Sequence, residues 1–171
     1  MPALTDSFRW IGTGDIYGIP LPVIIFAIVF LVSHWVLGST RFGRHVYAAG
    51  GNPHAAEVSG INVKRVRLYV YIISGALAGL AGMILAARTG SALTQAGIAY
   101  ELDAIAAVVI GGTSLSGGVG RVTGTLIGAL LIGVVNNGLD LLGVESYYQQ
   151  VIKGLLIVAA VMLDQARHKT A

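Results

Sequence analysis

Four long apolar runs dominate this chain and decide what it can fold into. Each is close to the roughly 20 residues that an α-helix needs to cross about 30 Å of hydrocarbon. The runs are Ile19–Gly38, Val66–Ala87, Val122–Leu139 and Tyr147–Leu163. Such runs predict spanning helices, because a helix satisfies its own backbone hydrogen bonds inside a lipid bilayer. The predicted fold class is therefore all-α, a polytopic membrane helix bundle.

A fifth apolar segment, Leu102–Leu115, is shorter than the other four. Its wholly apolar part covers only Ala104–Ile110. This segment is compatible with a short spanning helix, or with a re-entrant helix that leaves the membrane on the side it entered. The sequence thus predicts about five spans, one of them short or re-entrant, in a single transmembrane domain over residues 1–171.

The composition excludes several other classes of protein. Charged residues make up only 11% of the chain, whereas an ordinary soluble domain has about 25%. The chain has no cysteine, which excludes disulfide bonds and thiol catalysis. It also lacks the Gly-x-x-x-x-Gly-Lys-Ser/Thr loop that binds phosphate and the His-Glu-x-x-His zinc motif. We therefore expect no enzymatic activity, no cofactor and no metal, and the net charge of +3 does not require a nucleic acid partner.

Basic residues at two places predict which side of the bundle faces the cytoplasm. Four of them lie in the loop of residues 39–65: Arg41, Arg44, Lys64 and Arg65. Others lie near the C-terminus, and loops rich in arginine and lysine favour the cytoplasmic side. If both places are cytoplasmic, an even number of crossings separates them, which favours a spanning Leu102–Leu115. Residues 1–18 then form an outer polar loop, and residues 39–65 form a cytoplasmic loop.

The loop of residues 39–65 contains a predicted short helix. Asn52 is a favourable N-cap, Pro53 suits the first helical position, and Gly60 suits the C-terminal end. About two helical turns fit between them, and a helix that short needs a surface to pack against. Two interpretations stay open at this point: the helix inserts into another protein, or it lies against its own bundle.

Regularly spaced glycines predict close packing between helices. Small residues four positions apart share one helix face and let two backbones approach each other. Two such pairs are Gly75 with Gly79 and Gly124 with Gly128. A second group is clustered after the short apolar segment: Gly111, Gly112, Gly117, Gly118 and Gly120. This group predicts a tight turn, because glycine adopts positive φ values without steric cost.

Several motifs, taken in order, resemble a known protein family. The matching stretches are Gly43-Arg44 through Gly60-Ile61-Asn62-Val63, Tyr100–Leu115, Gly117-Gly118 with Gly120-Arg121, Gly124–Gly128, Asn136–Gly138 and Ser146–Gln149. In these stretches the chain resembles the C-terminal half of the permease subunit of ribose/xylose-type bacterial ABC sugar importers. The resemblance runs from about Arg9 to Asp164.

The resemblance implies a function and a set of partners. The chain would belong to a permease that moves a monosaccharide such as ribose or xylose across the bacterial inner membrane. ATP hydrolysis would occur on a separate ABC ATPase subunit, a periplasmic sugar-binding protein would deliver the substrate, and a second permease chain would complete the pathway. Such permeases have a further N-terminal half, so the resemblance also implies a truncated product or a gene fragment. The alternative is half of an ion-coupled secondary transporter, or a small oligomeric channel.

The resemblance also assigns residues to the contact with the ATPase subunit. These residues all lie in the loop of residues 39–65, which would be the coupling loop: Gly50, Asn52, Ala55, Ala56, Gly60 and Ile61. For the short helix in this loop, the resemblance favours insertion into another protein over packing on its own bundle.

Polar side chains in or near the predicted spans are candidates for function, because such groups are costly in hydrocarbon. Four of them are candidates for a substrate path: Glu101, Asp103, Asn136 and Asn137. Each has a favoured structural alternative: the two acids complement the dipole of a helix start, and the two asparagines join helices by hydrogen bonds. Lys153 is predicted to extend to the outer surface or to pair with Glu145 or Asp140.

Overall fold

The computed structural model describes residues 6–91 and 97–169. Within those residues the chain forms eight helices and one hairpin of two very short strands. In chain order these are α1 (Asp6–Thr13), β1 (Asp15–Ile16), β2 (Ile19–Pro20), α2 (Leu21–Ser39), α3 (Arg41–Gly51), α4 (Pro53–Val58), α5 (Val63–Thr89), α6 (Tyr100–Ile110), α7 (Val122–Leu141) and α8 (Ser146–Lys169). The predicted all-α class is confirmed.

Among the described residues, three helices are long and apolar enough to cross a membrane: α2, α5 and α7. A shorter apolar stretch, Tyr147–Met162, lies within α8. These four helices correspond to the four predicted runs, and α8 continues well beyond its run. Many large apolar side chains on them are exposed, as lipid-facing surfaces require. The prediction of a membrane helix bundle is confirmed.

The short fifth segment forms α6, whose 11 residues give a length of about 16 Å. α6 runs antiparallel to α7, and the turn between them approaches α3, where Gly118 lies against Gly50. α3 also packs against α5, where the ring of Phe42 lies edge-on to that of Tyr69 near the start of α5. That this segment crosses the membrane rather than re-entering it stays a prediction.

The N-terminal region differs from the predicted polar loop, because residues 6–13 form the helix α1. This helix packs against the far end of α5, where Gly12 lies against the backbone of Ala87 and Arg88. An isolated helix of two turns is unstable in water, so α1 depends on α5 for its stability. The local sequence does not reveal that dependence. Residues 1–5 lie outside the described residues.

A tight hairpin joins α1 to α2. Ile16 pairs with Ile19 in antiparallel register. Tyr17 and Gly18 at the tip have φ values of 55° and 79°, the positive values that a two-residue hairpin turn needs. The hairpin thus reverses the chain and leads directly into the first membrane-crossing helix.

The most closely packed part of the bundle lies between α6, α7 and α8. Ala106 and Ala107 of α6 are buried together with Ile132 of α7, and Ile157 of α8 packs against them. Alanine at both α6 positions keeps the side chains small, so the neighbouring helices can approach closely. By contrast, none of the described residues of α2 is buried.

Candidate functional site

α4 occupies the position of the predicted short helix in the loop of residues 39–65. The Asn52 side-chain oxygen accepts a hydrogen bond from the backbone N–H of Ala55 at 3.0 Å, and Pro53 is the first helical residue. At the other end, Gly60 has a φ of 84° and the N–H of Ile61 donates to the carbonyl of Ala56 at 3.0 Å. Both predicted caps are confirmed, and they fix where α4 begins and ends.

One face of α4 is anchored on its own chain and another faces outward. Ala56 is only 4% exposed, and Ile61, just after the helix, is half-buried. On the other side, Ala55 is exposed and Val58 is 79% exposed. The two interpretations of this helix are therefore compatible, because it packs on its own bundle through one face and leaves the other available to a partner.

The helix α3, which precedes α4, was missed by the sequence analysis. Thr40 is its N-cap: the side-chain hydroxyl accepts from the N–H of Gly43 at 3.2 Å and donates to the carbonyl of Val36 at 2.7 Å. Gly43 then packs against the backbone of Leu37 at the end of α2. The N-cap pattern Thr40-x-x-Gly43 was the available sequence signal for the start of α3. Three glycines within the helix weaken this signal, because glycine disfavours a helix.

Gly50 lies near the end of α3 and contacts the glycine-rich turn between α6 and α7. A Cβ atom added at Gly50 would lie 3.0 Å from the backbone nitrogen of Gly118. Positive φ values occur at three of the five predicted glycines, with 83° at Gly112, 90° at Gly117 and 76° at Gly118, whereas Gly111 has a φ of −67°. The hydroxyl of Tyr47 also donates to the carbonyl of Gly120 at 3.0 Å. The turn and α3 therefore meet through the backbones of their glycines and through one side-chain hydrogen bond.

A buried polar cluster joins α6, α7 and α8. Lys153 Nζ lies 2.7 Å from Asp103 Oδ1, and Asn136 Nδ2 donates to Asp103 Oδ2 at 3.2 Å. The side chains of Lys153 and Asp103 are only 11% and 22% exposed. Asn136 is the fifth residue before the end of α7, about 8 Å along its axis, which places the cluster inside the hydrocarbon if α7 crosses the membrane. The cluster thus connects three helices through charged and polar groups within the bundle.

The position of Lys153 corrects two predictions. It neither extends to the surface nor pairs with Glu145 or Asp140, because α6 lies beside α8 and presents Asp103 to it. A buried ammonium needs a close partner, and Asp103 supplies one. Asp140 instead accepts a hydrogen bond from Gln149 Nε2 at 2.8 Å.

The structure brings together two of the four substrate-path candidates and leaves the other two apart. Asp103 and Asn136 share a hydrogen bond, as predicted for an asparagine that joins helices. Glu101 and Asn137 are exposed, and no hydrogen bond connects them to the cluster within the described part of the chain. The Oδ1 atom of Asn136 is buried and has no hydrogen-bond partner among the described residues.

The two predicted glycine pairs lie in different surroundings. Gly124 lies against the backbone of Gly111, and Gly128 lies against Ala107, so this pair forms the contact between α6 and α7. At Gly75 and Gly79 an added Cβ would meet nothing within 4 Å among the described residues. That α5 packs through Gly75 and Gly79 therefore stays a prediction.

An apolar groove of about 580 Å³ runs between α2, α3 and α5. Branched aliphatic side chains from the two long helices form most of its lining, and Phe42 and Val46 of α3 complete it. The groove lies on the side of the bundle where many large side chains of α2 and α5 are exposed.

Comparison with known protein families shows the family to which this chain belongs. A family model described as "Branched-chain amino acid transport system / permease component" matches residues 1–161. The chain belongs to this permease family. The description is that of a transport component and names no catalytic activity.

Curated relatives of this permease chain are named as sugar permeases. It is 55% identical over 162 residues to the ribose import permease protein of Escherichia coli (strain K12), covering 95% of this chain and 50% of the relative. It is 54% identical over 161 residues to the ribose import permease protein of Bacillus subtilis (strain 168), covering 94% and 50%. It is 46% identical over 155 residues to the xylose transport system permease protein of Haemophilus influenzae, covering 91% and 41%.

These relatives confirm the resemblance to ribose/xylose-type permeases, and the match is to their C-terminal half. The permease chain spans about half the length of the curated relatives it matches. No solved structure matches it.

Proposed function

We propose that the chain forms the C-terminal half of the permease subunit of an ATP-driven ABC importer, which moves a monosaccharide such as ribose or xylose across the bacterial inner membrane. The observation that carries this proposal is 55% identity to a ribose import permease protein over 95% of the chain. Three long apolar helices, α2, α5 and α7, are suited to the membrane-crossing part of that task.

In this proposal α4 is the contact with a separate ATPase subunit on the cytoplasmic side. The exposed side chains of Ala55 and Val58 offer a small apolar surface, and buried Ala56 anchors the helix from behind. The Asn52 cap and the Gly60 end keep the helix short and fixed in direction. Such a pre-ordered surface supports tight docking because little conformational freedom is lost on binding.

The remaining partners in the proposal lie beside and outside the bundle. A periplasmic sugar-binding protein delivers the substrate, and a second permease chain completes the pathway. The open faces of α2 and α5 support packing against further helices, including through Gly75 and Gly79. Asp103 and Asn136 are the stronger of the four candidates for the substrate path, because both hold polar atoms inside the bundle.

The ion-coupled alternative is less well supported by the charges within the bundle. Ion coupling through side chains needs an intramembrane charge that the coupling ion can neutralise. Asp103 already has Lys153 as its counter-ion at 2.7 Å. Among the described residues, that ion pair is the buried charged site of the bundle, and it is neutral as a unit.

A chimeric permease tests the proposal directly. The residues of the E. coli ribose import permease protein that match this chain would be replaced by this chain. The chimera would then be produced in an E. coli strain that lacks its own ribose permease. Uptake of radiolabelled ribose or xylose that stops when ATP is depleted is the expected result. Uptake that instead follows an imposed ion gradient would favour the alternative, and no uptake of either sugar by a stably inserted chimera would contradict the proposal.

The role of α4 is tested in the same chimera with one bulky substitution. Ala55→Trp should abolish co-purification of the ATPase subunit, because the new ring covers the proposed contact surface. Ala129→Trp is the control, since Ala129 is also exposed but lies on α7. Equal recovery of the ATPase subunit with both variants would show that α4 is not the contact.

A further inference from the structure

α3 and the glycine-rich turn touch through backbone atoms on both sides of the contact. A Cβ atom at Gly117 would collide with the carbonyl oxygen of Gly50, and one at Gly118 would lie 2.7 Å from the Cα of Gly51. Any side chain at these positions of the turn would therefore push α3 away. The hydrogen bond from Tyr47 to the carbonyl of Gly120 adds a polar connection beside the glycine contact.

The turn is itself held together by internal hydrogen bonds. The N–H of Ser114 donates to the carbonyl of Val119 at 3.0 Å, and the N–H of Gly117 donates to the carbonyl of Ser114 at 3.2 Å. The Thr113 side chain lies directly against Gly120. These internal contacts restrict bending within the turn.

The elements on both sides of the contact are fixed to it as well. Asn52 is both the C-cap of α3 and the N-cap of α4. A single residue therefore joins α4 to α3, the helix that contacts the turn. On the other side, the turn connects the end of α6 to the start of α7. These two helices lie against each other through Gly111 and Gly124. The ion pair of Asp103 with Lys153 then connects α6 to α8. One continuous path of short contacts thus leads from α4 to the buried polar cluster.

We propose that Gly50, Gly117 and Gly118, together with Tyr47, form a positioning contact that passes movements of α4 to α6, α7 and α8. The proposal rests on the proposed function, in which an ATPase subunit binds and moves α4. The contact stiffens the connection between that subunit and the helices that hold Asp103 and Asn136. In this proposal the four residues act through the helices that they position, and their effect is on how much transport each ATP molecule produces.

The test compares two substitutions in the same turn of the chimeric permease. Gly117→Ala places a methyl group against Gly50, whereas Gly112→Ala places one where nothing lies within 4 Å. Both glycines have similar positive φ values, 90° and 83°, so the backbone strain of the substitution is matched. With Gly117→Ala, sugar uptake per ATP hydrolysed should fall about tenfold, within the usual range of coupling between sites. With Gly112→Ala the ratio should stay close to that of the unmodified chimera.

The ratio of uptake to hydrolysis separates coupling from folding, because loss of folded permease lowers both quantities together. The amount of ATPase subunit that co-purifies should also be the same for the two variants, since α4 itself is unchanged. Tyr47→Phe keeps the ring and removes only the hydrogen bond, and it should lower the ratio by about threefold, as expected for one hydrogen bond.

Two results overturn the inference and are distinct from each other. If the unmodified chimera takes up sugar and Gly117→Ala and Gly112→Ala give the same ratio, the contact does not transmit movement and the proposed function stands. If the unmodified chimera takes up no sugar, the proposed function fails, and the inference fails with it.

Discussion

The two sides of this bundle are built in opposite ways. Between α6, α7 and α8, small residues bring backbones into contact and a buried ion pair connects the helices. Along α2 and α5, large apolar side chains face outward, and Gly75 meets nothing within 4 Å among the described residues. We infer that the first side completes its packing within this chain, whereas the second depends on lipid or on further helices.

The ion pair provides the test with the largest expected effect. Lys153→Met leaves the partly buried carboxylate of Asp103 without its counter-ion, which should lower the free energy of unfolding by up to about 3 kcal/mol. The measurement is thermal unfolding of the purified chain in detergent micelles, followed by tryptophan fluorescence. The double variant Asp103→Asn with Lys153→Met removes both charges and should regain most of the loss. A single variant as stable as the original chain would show that the pair does not hold this side together.

Glycine-to-alanine substitutions test the comparison between the two sides directly. At Gly128 the new methyl group would press on the carbonyl of Ala107, so a destabilisation of about 1–3 kcal/mol is expected from overpacking. At Gly79 the methyl group would meet open space, and alanine favours the helix by about 0.5–1 kcal/mol over glycine. Opposite signs in the same unfolding measurement are expected. Effects of equal size and sign would mean that the two sides do not differ in packing.

The cap of α4 should give a small effect that is confined to one element. Asn52→Ala removes the hydrogen bond to the N–H of Ala55 and should cost about 1 kcal/mol. Amide hydrogen exchange should become faster within α4 and stay unchanged in α6. Asn62→Ala is the control, because Asn62 caps the much longer α5 through the N–H of Arg65. Unchanged exchange in α4 after Asn52→Ala would show that its packing, rather than its cap, holds it in place.

The parts of this fold that local chemistry decides could be predicted from the sequence. Apolar length predicted the membrane helices, since lipid imposes a minimum span. The order Asn52, Pro53 and Gly60 predicted α4 with both of its ends, because caps act over a single turn. The glycines of the turn after α6 predicted positive φ values, which Gly112, Gly117 and Gly118 adopt.

The parts that depend on contacts between distant residues could not be predicted in this way. α1 packs against α5 and α2, and residues 6–13 alone do not indicate which helices these would be. Lys153 pairs with Asp103, a residue 50 positions earlier in the sequence, and not with the acids near it. Lys153 meets Asp103 because α6 lies beside α8. The spacing of residues along the chain does not determine which helices become neighbours.

The pairing of Lys153 with Asp103 has an electrical consequence. A single charge that moves across the whole membrane potential does work of about 2.3 kcal/mol for each 100 mV. Two opposite charges 2.7 Å apart that move together carry no net charge, so the two contributions nearly cancel. A shared movement of α6 and α8 therefore gains almost no voltage dependence from this pair.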